Sequence, residues 1–422
     1  MSWDEEDLVR VLGASEQRFV RAGTYTGRSV MVVGDLDTTV LGAAFSALQR
    51  AYPVVTCRIA EDGTGRGYLL RPEERPVVGM TASQGDPDVV RIPDSIDPAE
   101  QLAYLDVVLS ERGRSRVTLF AHHSIADAGH CVELLSRLWG YYTDYLEFGT
   151  TTVVPQDYPQ SLEWHVAARG IARGSVSGFE DVTRPLEATV IPPAPAIPAP
   201  AALVRPRRIV LDEEATARII GLGRYPDVTV NGLVTAALLR AFASGKAGAT
   251  GDPVPLGCLY PVDLRTRLEP PVARAAGTNM AGLASFAAEV DLSADVLELA
   301  QRISYRLRHD LADGIVQQSV LHFPNYFGST RIHSLVGHVA VTNTGAVPAF
   351  RIPATIALTD YEIVYVSAHP RPSAGASAAV TFLVYTFEGR LTVGLLGGGD
   401  GDQLVTAVRD ELAALAEEAV NS

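Results

Sequence analysis

Residues 116–130 read RVTLFAHHSIADAGH. An apolar alternation, Val117, Leu119, Ala121, runs into the adjacent histidines His122 and His123, and Asp127 follows four residues after the second. Imidazole titrates near neutrality, so a histidine at a strand end can take the proton of a hydroxyl. Side chains alternate faces along a strand, so two neighbouring rings cannot easily serve one ligand. By parity His123 goes with Val117, Leu119 and Ala121, and His122 with Thr118 and Phe120. Three readings stand side by side. Both histidines pack a strand-to-helix corner. Or His123, Asp127 and the nearby His130 belong to a metal set, which then lacks a third acid at suitable spacing. Or one histidine is a general base whose loop a neighbouring residue keeps rigid.

The elements around the motif can be read from periodicity. Residues 102–123 have the pattern of a hairpin, LAYLDVVLS and RVTLFAHH about the polar ERGRS. A helix follows from about Asp127 to Leu146, with Val132, Leu135, Leu138, Trp139 and Tyr142 on its apolar face. Thr38–Tyr52 also has helical spacing. In the second half, Val228–Ser244 reads as a strong helix that Asn231 could cap, and VPLGCLYPV (254–262) as a buried strand. A helix over 293–312 and the strands GHVAVTN and ATIALTDYEIVYVS come next. A hairpin turning at Glu388-Gly389 and a last amphipathic helix over 401–420 close the chain. Between the halves, residues 190–206 (VIPPAPAIPAPAALVRP) are dense in Pro and Ala and read as an extended connector. The expected division is 1–189, connector 190–206, and 207–422. Each half mixes strands and helices, so the fold class is α+β.

Bulk properties exclude several classes. A chain of 422 residues suits two domains, and 47% hydrophobic with 20% charged residues suits a globular protein. A net charge of −14 argues against nucleic-acid binding and against adhesion to anionic membrane. Cys57, Cys131 and Cys258 are too few and too scattered for a disulfide framework or zinc knuckle, which points to a reduced, cytoplasmic setting. The acidic N-terminus MSWDEEDLVRVLG lacks the apolar stretch of a signal peptide, and no apolar run is long enough to span a membrane. There is no GxSxG elbow.

The HHxxxD pattern resembles the HHxxxDG signature of the condensation-domain superfamily of acyltransferases, which includes chloramphenicol acetyltransferase. The closer resemblance, over nearly the whole chain, is to the phthiocerol/phthiodiolone dimycocerosyl transferase family. It rests on YPVDLR (260–265), PPVA (270–273) and DLADGIVQQSVLHF (310–323). The motif glycine is replaced by Ala128, with Gly129 one place later; alanine fits if φ is negative there and is strained otherwise.

The resemblance implies two chloramphenicol-acetyltransferase-like domains, each a mixed sheet with helices, and an active-site tunnel between them. It makes His123 the catalytic base, His122 structural, and Asp127 a loop anchor held by an arginine, for which Arg265 is the candidate. A guanidinium suits such a carboxylate clamp. VTNTG (341–345) resembles a polar strand end lining the family's tunnel, so Asn343, Thr344 and Gly345 are candidate oxyanion or lining residues, with Asn279 behind them; a plain turn is the alternative. Arg302, Arg306 and His309, at i, i+4 and i+7, form a basic helix face with Arg308. Such faces are usually solvated, but the resemblance implies docking of an acyl carrier protein or CoA phosphates, with Arg308 the best match.

The expected activity is O-acyl transfer from an acyl-CoA or carrier-protein thioester to a hydroxyl of a polyketide-type product. No metal and no bound cofactor are expected, and a monomer is. Divergence outside the shared blocks leans toward a short donor such as acetyl and an ansamycin-like macrocyclic acceptor. The alternatives are a long-chain, mycocerosyl-type transferase of lipid biosynthesis, a non-catalytic binding protein of the same fold, and a condensing enzyme with an amine acceptor.

Overall fold

The computed structural model describes residues 3–73, 79–111, 113–190, 199–246, 251–327, 330–371, 378–398 and 401–421. Most of the Pro-rich connector, residues 191–198, lies outside these.

The hairpin that carries the histidines forms as its pattern implies. Strands Ala103–Leu109 and Arg114–His122 pair antiparallel, and Gly113 supplies a positive φ of 62° in their turn. They belong to a six-stranded sheet in the order Met80–Gln84, Ala103–Leu109, Arg114–His122, Thr24–Gly34, Ile356–Ser367, Ala202–Val204. A second sheet runs Arg207–Val210, Arg390–Gly397, Ala378–Phe387, Thr330–Ala346, Val254–Asp263, Ala281–Val290, with Arg184–Val190 pairing on Thr330–Ala346. Both sheets mix parallel and antiparallel neighbours. A small three-stranded sheet joins Leu8–Val11, Gly67–Leu70 and Arg58–Glu61. The class is α+β, with sheets and helices in two lobes.

Helices start where a side chain can accept from the free N–H groups of the first turn. Asp37 caps Thr38–Ala51, and Asp127 caps Ala128–Phe148, which ends at Gly149 with φ 69°. The face Val132, Leu135, Leu138, Trp139 and Tyr142 is buried in the N-terminal core. One cap differs from expectation. Thr229, not Asn231, caps Val230–Ser244, its hydroxyl accepting from the Gly232 N–H at 3.0 Å. Asn231 is already inside the helix, and its Oδ1 accepts from Asn343 Nδ2 at 3.2 Å. The hairpin turn at Glu388-Gly389 places both residues at positive φ, 47° and 74°, the twist a two-residue connection needs.

Packing crosses the Pro-rich stretch in both directions. Ile356–Ser367 comes late in the chain yet pairs with Thr24–Gly34 over its whole length, apart from a bulge after Thr359. Leu383 and Tyr385 join the N-terminal core, while Leu162, Val166, Phe179 and Val182 join the C-terminal one. Among the described residues no helix is long and apolar enough to cross a membrane, and the three cysteines are free and buried.

Candidate active site

His123 lies one residue beyond the strand Arg114–His122, and its backbone N–H donates to the Thr24 carbonyl at 2.7 Å. The ring stacks on Phe19, with centroids 4.0 Å apart and planes 9° from parallel. Asn279 Nδ2 donates to the His123 carbonyl at 3.2 Å and lies 3.4 Å from Nδ1. Burial, then the Arg18 and Arg28 guanidiniums, push its pKa down to about 4, against the pull of Asp127. At neutral pH the ring is therefore uncharged and can accept a proton. It opens into a cavity of about 800 Å³. Walls come from both halves of the chain: Phe19, Thr24, Val132 and Asp127 from the first, Leu259, Leu283, Leu335 and Ile363 from the second.

His122 faces elsewhere. It is fully buried, its ring set edge-on to Tyr25 at 5.0 Å, and its Nδ1 accepts from the Ser124 N–H at 3.3 Å. Burial pushes its pKa down to about 3. Phe120 and Tyr25 share that apolar cluster, whereas Leu119 and Ala121 belong to the core on the other face.

Asp127 is a junction between the halves. Oδ1 accepts from the His130 N–H at 2.9 Å; Oδ2 accepts from Arg265 Nη1 at 2.6 Å and from the Met280 N–H at 2.9 Å. Burial opposes the charge, but Arg265 and the two N–H donors outweigh it and hold the carboxyl below its usual range. Arg265 is 2% exposed, and its Nη2 donates to the carbonyls of Thr278, at 2.9 Å, and Gly277. Ala128 is the first residue of the helix and is not among the positive-φ residues, so its Cβ meets no backbone strain.

Of the strand-end residues, Asn343 and Thr344 line the cavity and Gly345 does not. Asn343 Oδ1 accepts from the Gly345 N–H at 2.9 Å, and Gly345 has φ 72°. Asn279 lines the cavity too. None of Arg302, Arg306 and Arg308 does. Arg302 lies over the Phe286 ring, Arg306 bonds Asp310 at 2.9 Å, and Arg308 bonds the exposed Asp227 at 3.0 Å. The His309 ring lies against that of Tyr305, tilted by 35°. His130 turns away from His123, its Nδ1 on the Arg274 carbonyl. Among the described residues no three His, Cys, Asp or Glu side chains are grouped to hold a metal ion.

Sequence reasoning passed over Phe19, Arg18 and Arg28. Nothing in local spacing links residue 19 to residue 123. Arg28 did leave a signal, a lone charge in the middle of the strand TYTGRSVMVVG.

Residues 200–396 match the family model described as the phthiocerol/phthiodiolone dimycocerosyl transferase C-terminus. The phthiocerol/phthiodiolone dimycocerosyl transferase of Mycobacterium tuberculosis is 32% identical over 367 residues, covering 84% of this chain and 85% of that protein. Among solved structures, polyketide synthase associated protein 5 from Mycobacterium tuberculosis superposes with a TM-score of 0.78 at 25% identity, covering 98% of this chain and 99% of the other. The first condensation domain of the calcium-dependent antibiotic synthetase gives 0.63 at 17% identity, covering 98% and 97%, a likeness of fold. With that identity over that much of its length, this chain is an acyltransferase and belongs to the phthiocerol/phthiodiolone dimycocerosyl transferase family.

Proposed function

We propose that this acyltransferase moves a long acyl chain from a CoA or carrier-protein thioester to a hydroxyl of a polyketide-type product, with His123 as general base. The observation that carries the reading is an uncharged histidine held in the wall of a cavity of about 800 Å³ shared by both halves. That volume is near the upper end of small-molecule sites, roughly 300–1,000 Å³. It far exceeds what an acetyl group fills, and the curated relatives are named for a dimycocerosyl transfer. Both favour a long donor over the acetyl-type donor expected from the sequence.

The hydroxyl oxygen attacks the thioester carbonyl as His123 takes its proton. The carbonyl oxygen becomes a tetrahedral oxyanion, for which Asn279 and Asn343, each with a second amide N–H, offer donors from the cavity wall, while the Thr344 hydroxyl donates to the Val384 carbonyl. The C–S bond then breaks, the C–O bond remains, and His123 returns the proton to the leaving thiolate. His122 packs the strand end, and the Asp127–Arg265 pair holds the loop after the histidines to the other half. The thioester is a co-substrate, so no bound cofactor is called on. Arg308, with Arg302 and Arg306 on the same helix, is the docking face for an acidic carrier; its exposed partner Asp227 is readily exchanged.

The test is thiol release from acyl-CoAs of increasing length in the presence of hydroxylated polyketides. Rates should rise with chain length, and His123→Ala should lower them by roughly 10²–10⁴-fold. Fastest release from acetyl-CoA would reinstate the short donor, and an undiminished rate in His123→Ala would remove His123 as the base.

A further inference from the structure

Among the described residues three arginines are buried: Arg28, Arg116 and Arg265. Arg116 bonds Glu362 at 2.6 Å and Arg265 bonds Asp127 at 2.6 Å. Arg28, 2% exposed, makes no ion pair among the described residues. Its Nη1 donates to Thr26 Oγ1 at 2.6 Å and to the Gly27 carbonyl; among the described residues Nε and Nη2 donate to nothing. A buried, uncompensated guanidinium is costly, which is why the other two are paired.

Arg28 lines the same cavity as His123, and so does Arg18. Arg18 also lacks a carboxylate among the described residues: it lies over the rings of Phe19, Phe323 and Phe327 at 4.6, 5.3 and 5.4 Å. The cavity's own acids are engaged elsewhere. Asp127 and Asp263 face Arg265, and Glu133 bonds Arg137. Among the described residues the wall beside the base therefore carries two cations with no carboxylate in contact, Asp127 and Glu163 acting on them only at a distance.

The thioester end of the donor gives them no partner. It is neutral, and the phosphates of CoA or a carrier sit at the far end of a neutral pantetheine arm. The placement of Arg28 also sets it apart from the reacting carbonyl. His123 is anchored on Thr24, and Arg28 lies four residues further along that strand, roughly 13 Å at Cα. Its side chain bends back to Thr26, and among the described residues no hydrogen bond joins it to His123.

We propose that Arg28, assisted by Arg18, is a carboxylate-binding subsite, and that the acceptor is a hydroxy acid whose hydroxyl reaches His123 while its carboxylate pairs with Arg28. This rests on the acyl-transfer reading and names its acceptor class. A polyketide chain released by hydrolysis carries both groups. The pairing also acts on the base. Arg18 and Arg28 both depress the His123 pKa, so a bound carboxylate offsets them and makes the ring a stronger base. Acceptor binding thus prepares proton removal.

The experiment compares hydroxy fatty acids, the 3-hydroxy and 12-hydroxy dodecanoates, with their methyl esters as acceptors of a long-chain acyl-CoA. The wild type should favour the better acid over its ester on the order of 100-fold in kcat/KM. In Arg28→Gln that ratio should collapse toward one, mainly through KM. A wild-type ratio near one overturns the proposal. So does an equal fall for acid and ester in Arg28→Gln through kcat alone, which assigns Arg28 to the developing oxyanion. Titration calorimetry of the same acids and esters, without donor, reads the subsite independently of turnover. Acid binding that Arg28→Gln abolishes, with no thiol release from any pair, supports the subsite and removes the transferase reading. Transfer to neutral alcohols without acid binding does the reverse. If Arg28→Gln does not fold, Arg18→Gln and the wild-type ratio decide the matter.

Discussion

At the scale of single residues, the site depends on which charges are left facing which. His123 is buried beside guanidiniums, so its pKa falls to about 4. Protonation removes the base, so kcat/KM for a neutral acceptor should stay level through neutrality and fall only as pH drops toward 4. A fall centred near 6.5 would mean that the ring is solvated during turnover. The same depression has a sign for stability. His122, His123 and His130 have folded values of about 3, 4 and 4, below the usual 6.5. The unfolded chain binds these protons first, so stability is complete above pH 6.5 and declines as pH falls, by about 1 kcal/mol per histidine at pH 5.5. Urea unfolding at pH 7.5 and 5.5 measures it. Asp127→Ala leaves Arg265 only the half-exposed Asp263 and removes the cap on His130, and should cost about 3–5 kcal/mol together with activity. Loss of activity with unchanged unfolding would assign Asp127 to the chemistry instead. The histidine pair was legible in the sequence because its types and spacing are rare. Arg28's lack of a partner was not, because pairing is decided between distant strands.

At the scale of elements, most helices and hairpins were readable because their signals are local. The helix after the motif keeps its 3.6-residue apolar face, and the Glu388-Gly389 turn has the positive φ that its glycine supplies, with Glu388 beside it at 47°. The cap of Val230–Ser244 was misplaced by two residues. Thr229 and Asn231 both have capping side chains, and only the backbone decides: Thr229 is extended, with φ −123° and ψ 153°, and Asn231 is helical. Thr229 also bonds Ser304 Oγ on the neighbouring helix Val296–Ala312, at 3.0 Å. Thr229→Ala should therefore cost about 1 kcal/mol or somewhat more in urea unfolding, and Asn231→Ala less. The reverse order would contradict the assigned cap.

At the scale of the whole molecule, the two halves of the chain are stitched by charge as well as by strands. Arg116 on the histidine hairpin bonds Glu362, and Arg205 bonds the same carboxylate at 2.8 Å. Glu362 belongs to Ile356–Ser367, the late strand that completes the histidine-bearing sheet. No local period encodes that pairing, which is why the exchange between halves was not legible while the α+β make-up of each half was. A fragment of residues 1–189 would leave Thr24–Gly34 with a bare edge along the face Ile356–Ser367 covers, and should be insoluble or aggregate when expressed alone. A soluble, cooperatively unfolding fragment would refute this. The same topology bears on synthesis. The motif leaves the ribosome long before Ile356–Ser367 is made, so the nascent chain must carry the unsatisfied edge of Thr24–Gly34 over all the residues between. A chain interrupted between Asp127 and Ile356 would hold every residue of the histidine motif in a sheet still lacking the strand that covers Thr24–Gly34.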